Sequence, residues 1–206
     1  MSNDQITSVE ELESVLGQPL DFIKEKVASE LSEAMLEFIQ DSPLIILSTI
    51  DSSGNIDSSP KGDEPGFVTV ANKNQLLIPD RPGNKLAYGF RNIIDNPKIG
   101  LLFIMPNMRE TLRVKGTATI SKDPQLLEQL SAKGKPALLC TTLDVEECFF
   151  HCGKAMIRSK LWQADSWGDG KKSLMAKQFV SKMNGDENLE ASFQEAVEEN
   201  YRDELY

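Results

Sequence analysis

The sequence predicts a mainly β protein with helices: a small antiparallel β-barrel that carries helical extensions at both ends. Several short apolar or alternating segments follow one another at hairpin spacing, which is typical of an antiparallel barrel rather than a parallel sheet. No internal repeat and no low-complexity linker divides the chain. We therefore expect one domain, with residues 44–167 as the barrel and residues 1–43 and 168–206 as the helical extensions.

The segment before the strands has the pattern of one long amphipathic helix. Apolar residues recur there at steps of three and four from residue 19 to residue 40, which is the period of a helix face. Asp41, Ser42 and Pro43 then end the pattern. The apolar stripe consists of Leu20, Ile23, Val27, Leu31, Ala34, Met35, Phe38 and Ile39.

Strand patterns occupy the middle of the chain. Residues 111–120 alternate most clearly, with even-numbered positions such as Leu112 on one face and odd-numbered positions such as Arg113 on the other. Helices are expected at residues 85–95 and 123–134, between strands. The other predicted strands are residues 44–50, 56–59, 67–70, 76–78, 99–104, 137–145 and 147–151.

The net charge of −10 is unevenly spread along the chain. Residues 186–206 hold eight acidic residues and one arginine, so this segment alone carries a charge of −7. The acidic excess argues against a nucleic-acid binder, while the nearly neutral remainder can carry a local positive pocket for an anionic ligand. For the acidic segment, a solvated helical face is favoured over a dedicated binding arm.

We expect a cytoplasmic protein. No apolar run approaches the ~18 residues that a membrane span needs, and no basic region followed by an apolar core marks a secretion signal. The three cysteines, Cys140, Cys148 and Cys152, are too few for a disulfide scaffold.

The turn at residues 79–85 is the most informative segment. Pro82 and Gly83 force a sharp turn after an apolar strand, and Gly83 can take a positive φ. Arg81 and Lys85 place donors there, next to the expected helix N-terminus, where backbone N–H groups favour an anion. The pattern fits a phosphate cradle, and a plain solvated turn would have the same sequence.

His151 is the single histidine of the chain. With Cys148 and Cys152 it makes a partial zinc-ligand set, but no second cysteine pair of suitable spacing is present, so no metal site is expected. No nucleophile-elbow motif, dinucleotide fingerprint or phosphate-loop lysine motif occurs. We therefore assign no catalytic residue.

Polar segments flank the strands in a fixed order: Ser42-Pro43, Asp57-x-Ser59-Pro60-Lys61-Gly62-Asp63, Pro79-Asp80-Arg81-Pro82-Gly83-Asn84-Lys85, Asn96-Pro97, Gly100-Leu101-Leu102-Phe103, Arg113-Val114-x-Gly116 and His151-Cys152-Gly153-Lys154-Ala155-x-x-Arg158-Ser159-x-x-Trp162. In order and spacing this set resembles the pyridoxamine 5′-phosphate oxidase-like family of flavin-binding split barrels. The similarity covers about residues 20–167 and is greatest to a bacterial branch of uncharacterised flavoproteins.

The resemblance implies a six-stranded split β-barrel and a homodimer with FMN bound at the subunit interface. By similarity, Arg81, Asn84 and Lys85 hold the FMN phosphate. Lys61 lies on the strand whose basic residues reach the phosphate or the ribityl chain. A dianionic phosphate favours such a pairing of arginine and lysine with backbone donors.

The remaining cofactor-binding residues are also implied by the resemblance. Thr111 falls where the family presents polar groups to the isoalloxazine ring. Lys154 and Arg158 lie four residues apart, on one face of a helix expected to start at Cys152, and with Trp162 they would approach from the partner subunit. The expected set is completed by Asp63, Pro79, Asp80 and His151.

The chain departs from true pyridoxamine phosphate oxidases after Trp162, where the arginines and histidine that grip the substrate phosphate are missing. Oxidation of vitamin B6 is therefore doubtful. The resemblance favours an FMN-dependent oxidoreductase acting on an unidentified small molecule. A non-catalytic flavin- or haem-binding protein and a deazaflavin-dependent reductase remain open alternatives. His151 is either a proton-transfer group or a structural residue, and a site-lining, non-catalytic role is favoured.

Overall fold

The computed structural model describes residues 4–168 and 174–206. This part of the chain contains seven strands: β1 (Leu44–Ile50), β2 (Ile56–Gly62), β3 (Thr69–Asn72), β4 (Gln75–Pro79), β5 (Lys98–Ile104), β6 (Thr111–Ser121) and β7 (Cys140–His151). They form one sheet in the order β2-β1-β5-β6-β7-β4-β3, and every pairing is antiparallel. The predicted mainly β split barrel is therefore confirmed, with seven strands in place of six.

Helices precede, interrupt and follow the strands. The described helices are α1 (Val9–Leu16), α2 (Asp21–Lys24), α3 (Glu33–Asp41), α4 (Tyr88–Asp95), α5 (Pro124–Gln129), α6 (Lys154–Ser159), α7 (Leu174–Lys182) and α8 (Glu187–Asp203). Within the described ranges, none of them has the length and apolar character that crossing a bilayer requires. Phe179 of α7 and Phe193 of α8 stack with ring centroids 6.0 Å apart, which joins the two C-terminal helices. The three-segment division of the chain stays a prediction.

Strand alternation gives the sheet a buried inner face and a more exposed outer face. Ile45 and Leu47 of β1 are buried, whereas Ser48 is only half-buried. In β6, Leu112 is buried and Arg113 is exposed, as the alternation predicted. Helix α3 belongs to the same core through Met35, Phe38 and Ile39.

The prediction of a single helix over residues 19–40 is wrong. Between α2 and α3, Ala28 and Cys148 exchange two backbone hydrogen bonds of 3.0 and 2.8 Å, and Leu31 N donates to Lys73 O at 2.8 Å. These bonds tie the segment to the sheet, so its backbone groups are not available for helical pairing. Leu31 belongs to the apolar stripe of the predicted helix, and it is fully buried where this segment contacts the sheet.

The last two predicted strands are one continuous strand, β7. The pairing of β6 with β7 shifts register between Lys115 and Gly116, which is the behaviour of a β-bulge. A Cβ atom at Gly116 would collide with the backbone oxygen of Asp144, so the bulge requires glycine there. The polar residues near position 146, where the sequence pattern predicted a break between two strands, lie at this bulge.

Two predicted helix boundaries are also wrong. Asp123 caps α5 as expected, accepting a hydrogen bond from Gln125 N at 2.8 Å, but the helix ends at Gln129 rather than near Gly134. Helix α4 begins at Tyr88 rather than at Lys85. An earlier start of α4 is prevented by the left-handed backbone at Lys85 and Ala87, which is incompatible with a right-handed helix.

Candidate functional site

A cavity of about 670 Å³, here called cavity 1, lies where the sheet is split. Strand β2 ends the strand order on one side and β4 is next to last on the other, and no ladder joins them among the described residues. The end of β2, the segment from Pro79 to Phe90, and residues 205–206 form its walls. This volume lies within the range of small-molecule and cofactor sites.

Two ion pairs cross the split beside cavity 1. Lys61 Nζ lies 2.7 Å from Asp80 Oδ1, and Arg81 Nε lies 2.7 Å from Asp63 Oδ2. The Asp63 side chain is 3% exposed and that of Arg81 is 16% exposed, so this second pair is largely shielded from solvent. Because Lys61 and Asp63 belong to the β2 side and Asp80 and Arg81 to the β4 side, the two pairs join the two sides of the split.

Asp63 accepts further hydrogen bonds that hold it as a carboxylate. The Tyr206 hydroxyl donates to Asp63 Oδ1 at 2.7 Å, and Glu64 N donates to the same oxygen at 2.9 Å. Burial acts to raise the pKa of Asp63, but hydrogen bonds from Tyr206 and Arg81 outweigh it and hold the pKa below its usual value. Arg81 Nη1 also donates to Leu130 O at 2.9 Å, which fixes the guanidinium.

Apolar side chains also line cavity 1. Leu47, Phe67 and Phe90 line it, and the Lys61 ammonium lies 5.1 Å from the centre of the Phe90 ring. A cation at this distance from a ring is attracted to its π face. Cavity 1 thus combines basic groups at one side with aromatic and aliphatic surface, an arrangement suited to a ligand with an anionic end and a flat apolar body.

The turn at residues 79–85 lines cavity 1, but its conformation differs from the prediction. Gly83 does not have a positive φ; the left-handed residues are Lys85 (φ 61°) and Ala87 (φ 55°). They separate the turn from α4, so the expected helix N-terminus does not adjoin Arg81. Left-handed backbone costs ~1–2 kcal/mol for a residue with a Cβ atom, and such strain is concentrated at functional sites.

The structure brings most of the predicted cofactor-binding residues together. Asn84 Oδ1 accepts a hydrogen bond from Leu86 N at 3.0 Å, so this oxygen stabilises the turn itself. Seven of the twelve predicted residues lie at or beside cavity 1: Lys61, Asp63, Pro79, Asp80, Arg81, Asn84 and Lys85.

Thr111 and His151 do not line cavity 1. They pair across β6 and β7 and line a second cavity of about 560 Å³, cavity 2, on the outer face of the sheet. Leu102 and Phe149 contribute apolar surface to cavity 2, and Arg113 lies 5.0 Å from the centre of the Phe149 ring. Within one chain, the residues expected to meet the isoalloxazine ring are therefore separated from those expected to meet the phosphate.

Helix α6 carries two further predicted residues, Lys154 and Arg158, one turn apart. Trp162 follows it, and its indole Nε1 donates to Met108 O at 2.7 Å. None of these three side chains lines cavity 1 or cavity 2 in the described part of the chain. Their approach from a partner subunit stays a prediction.

Sequence reasoning missed several groups at cavity 1. Tyr206 and the Leu130 carbonyl contact the Asp63–Arg81 pair, and Phe90 carries the cation–π contact. The apolar period of α4 could have indicated Phe90 as an inward residue. No local signal indicates Tyr206, which lies 143 positions from its partner.

The thiols do not form a site with the histidine. Burial raises the pKa of Cys140 and of Cys148, whereas Cys152 is exposed. Over residues 4–168 and 174–206, no three His, Cys, Asp or Glu side chains are grouped as metal ligands.

Comparison with known proteins places this chain in a family. The family model for pyridoxamine 5′-phosphate oxidase matches residues 31–152. Because the match spans more than half of the chain, the protein belongs to the pyridoxamine 5′-phosphate oxidase family. A comparison with curated proteins gave no match.

The solved structures that resemble the chain are of proteins named for different functions. A candidate pyridoxamine 5′-phosphate oxidase from Lactobacillus delbrueckii is 24% identical, with a TM-score of 0.48 over 59% of this chain and 95% of that one. An F420 reductase is 17% identical, with a TM-score of 0.41 over 59% of this chain and 98% of that one. HutZ, the heme storage protein from Vibrio cholerae, is 17% identical, with a TM-score of 0.40 over 59% and 94%.

The lowered pKa of Asp63 makes a prediction about stability. Because the folded pKa lies below the ordinary value of 3.8, Asp63 stabilises the fold above that value and loses this contribution as pH falls through the folded pKa. At neutral pH, Asp63→Asn should lower the free energy of unfolding by about 2–4 kcal/mol. The difference between wild type and variant should shrink between about pH 5 and about pH 3. Urea denaturation across this range measures it; a difference that stays constant or grows would contradict the assignment.

Proposed function

We propose that this protein is a flavoprotein that binds FMN in cavity 1 and acts as an oxidoreductase on a small molecule. The observation that carries the proposal is the combination of basic groups and aromatic surface in cavity 1 of a chain from the pyridoxamine 5′-phosphate oxidase family. Bound FMN would supply the electron-transfer chemistry, and the protein would supply binding and orientation.

The donor set of cavity 1 fits the phosphate of FMN. Arg81 and Lys61 are paired with carboxylates, but a guanidinium has five N–H donors and an ammonium three. The contacts described use two donors of Arg81 and one of Lys61. Both cations therefore keep donors for a ligand, and Lys85 adds a third cation that has no ion pair or hydrogen bond within the described ranges.

The apolar walls fit the rest of the cofactor. Leu47, Phe67 and Phe90 offer the kind of surface that an isoalloxazine ring requires. The carboxylates of Asp63 and Asp80 orient the cations without a ligand, so little reorganisation is needed on binding.

We further propose that the functional unit is a homodimer. Ile46, Leu102 and Phe149 are half-buried on the outer face of the sheet, where cavity 2 lies. A second copy seated on this face would bury them, and two-fold pairing is the commonest oligomeric arrangement. It would also allow Thr111, His151 and the α6 residues of one subunit to complete the site of the other.

The substrate is proposed only as a small molecule other than pyridoxamine 5′-phosphate. The arginine–histidine segment that grips the phosphate of that substrate has no counterpart after Trp162, and His151 is the only histidine in the sequence. His151 lies at the end of β7 beside Thr111 and is exposed. We propose for it a site-lining role rather than a role in proton transfer.

Lys85 provides the test of the phosphate assignment. Removing this cation should weaken FMN binding by roughly 10- to 100-fold, the loss of one charge-assisted contact. Fluorescence titration of FMN into the wild type and Lys85→Ala measures the change. Lys122→Ala, which removes an exposed lysine outside cavity 1, is the matched control. Equal affinities in the wild type and Lys85→Ala would remove Lys85 from the site.

The outer sheet face provides the test of the dimer. Leu102→Arg places a charge among the half-buried residues of cavity 2, so we expect a monomer with weakened FMN binding. Ile94→Arg is the control, because Ile94 is 80% exposed on α4, which packs on the inner side of the sheet near Leu47 and Thr49. Light scattering and FMN titration report both properties. A monomeric wild type with full FMN occupancy would rule out the shared site.

A further inference from the structure

The segment that follows α8 reaches back to the barrel at cavity 1. Leu205 and Tyr206 line the cavity. Tyr206 is held at two points: its hydroxyl donates to Asp63 Oδ1 at 2.7 Å, and its backbone oxygen accepts from Lys135 Nζ at 2.6 Å. The segment is therefore a fixed part of the cavity wall.

Tyr206 stands beside the cation expected to meet the ligand's phosphate. The two oxygens of Asp63 divide their bonds, with Oδ1 accepting from the Tyr206 hydroxyl and Oδ2 accepting from Arg81 Nε. One carboxylate thus separates the phenol from the guanidinium. The hydrogen bond to Asp63 raises the pKa of Tyr206, so the hydroxyl stays a donor at neutral pH.

The turn that follows α5 contacts the same end of cavity 1. Arg81 Nη1 donates to Leu130 O, and a few residues further Lys135 holds Tyr206. Between them, Lys133 Nζ lies 3.1 Å from Glu64, the neighbour of Asp63. The turn after α5, the end of β2 and the segment 204–206 are therefore linked around Arg81.

We propose that Tyr206 is a specificity-determining residue: it closes the Arg81 end of cavity 1, so that the site accepts a flavin mononucleotide and excludes a flavin dinucleotide. This inference rests on the proposed function. FMN ends at its phosphate, whereas FAD continues from that phosphate into a second phosphate, a ribose and an adenine. With the first phosphate at Arg81, this extension would require the space of residues 205–206.

Admitting the dinucleotide would require displacing Tyr206 from its anchors. The cost includes a hydrogen bond to a charged carboxylate, which corresponds to a factor of roughly 10 to 100 in affinity. FMN would leave these contacts in place. The structure therefore predicts a preference for FMN over FAD that depends on one residue outside the region matched by the family model, which ends at residue 152.

The experiment compares FMN and FAD affinities, by fluorescence titration, in four proteins that contain residues 1–206: the wild type, Tyr206→Ala, Tyr206→Phe and Tyr201→Ala. Tyr201 is 56% exposed on α8 and does not line cavity 1, so it is the matched control. We expect Tyr206→Ala to raise FAD affinity roughly 10- to 100-fold relative to FMN. Tyr206→Phe keeps the ring without the anchor and should lie between, while Tyr201→Ala should match the wild type.

Every outcome of this experiment either supports or overturns the proposed role of Tyr206. FMN binding with the same FMN-to-FAD ratio in the wild type and Tyr206→Ala would overturn the role of Tyr206 and leave the proposed function standing. Loss of FMN binding in folded Tyr206→Ala would show that the ring supports the ligand rather than excludes one, which also overturns it. Failure of the wild type to bind either flavin would overturn the proposed function and this inference together. If Tyr206→Ala does not fold, the Tyr206→Phe ratio decides.

Discussion

The ion pair between Asp63 and Arg81 holds the two edges of the split barrel together beside the cavity. No strand ladder joins β2 to β4 in the described ranges, so side chains have to make this connection. Asp63 is 3% exposed, and a carboxylate so far from solvent requires several donors. Arg81, Tyr206 and Glu64 N supply them. The barrel edge, the basic turn and the C-terminal segment therefore meet at a single carboxylate.

This arrangement determines what cavity 1 offers to a ligand. The carboxylates keep Lys61 and Arg81 oriented while leaving part of their donor capacity unused. Aromatic and aliphatic side chains provide apolar surface in the same cavity. Cations that are already oriented need little reorganisation to meet an anionic group, which supports the proposal that this cavity binds FMN. The left-handed backbone at Lys85 and Ala87 adds local strain at the same place.

Local patterns predicted the parts of the molecule that local physics determines. The alternation in β6 depends on neighbouring residues, and it placed Leu112 on the buried face and Arg113 on the exposed face. The turn at residues 79–85 was also expected, but Gly83 does not have the positive φ that its sequence allowed. The helix over residues 19–40 was wrong because Ala28 pairs with Cys148, far along the chain, and this tertiary pairing overrides a helical period. Tyr206 was missed for the same reason: its bond to Asp63 spans 143 positions, and nothing around either residue indicates the other.

We propose that cavity 1 of this family member holds FMN. The most direct measurement is the visible absorption spectrum of the purified protein, followed by identification of the small molecule released on denaturation. If cavity 1 holds FMN, the purified protein should be yellow, or it should become yellow on titration with FMN. Denaturation should then release intact FMN. A protein that stays colourless at saturating FMN, or that carries the absorption bands of haem or releases a deazaflavin, would contradict it.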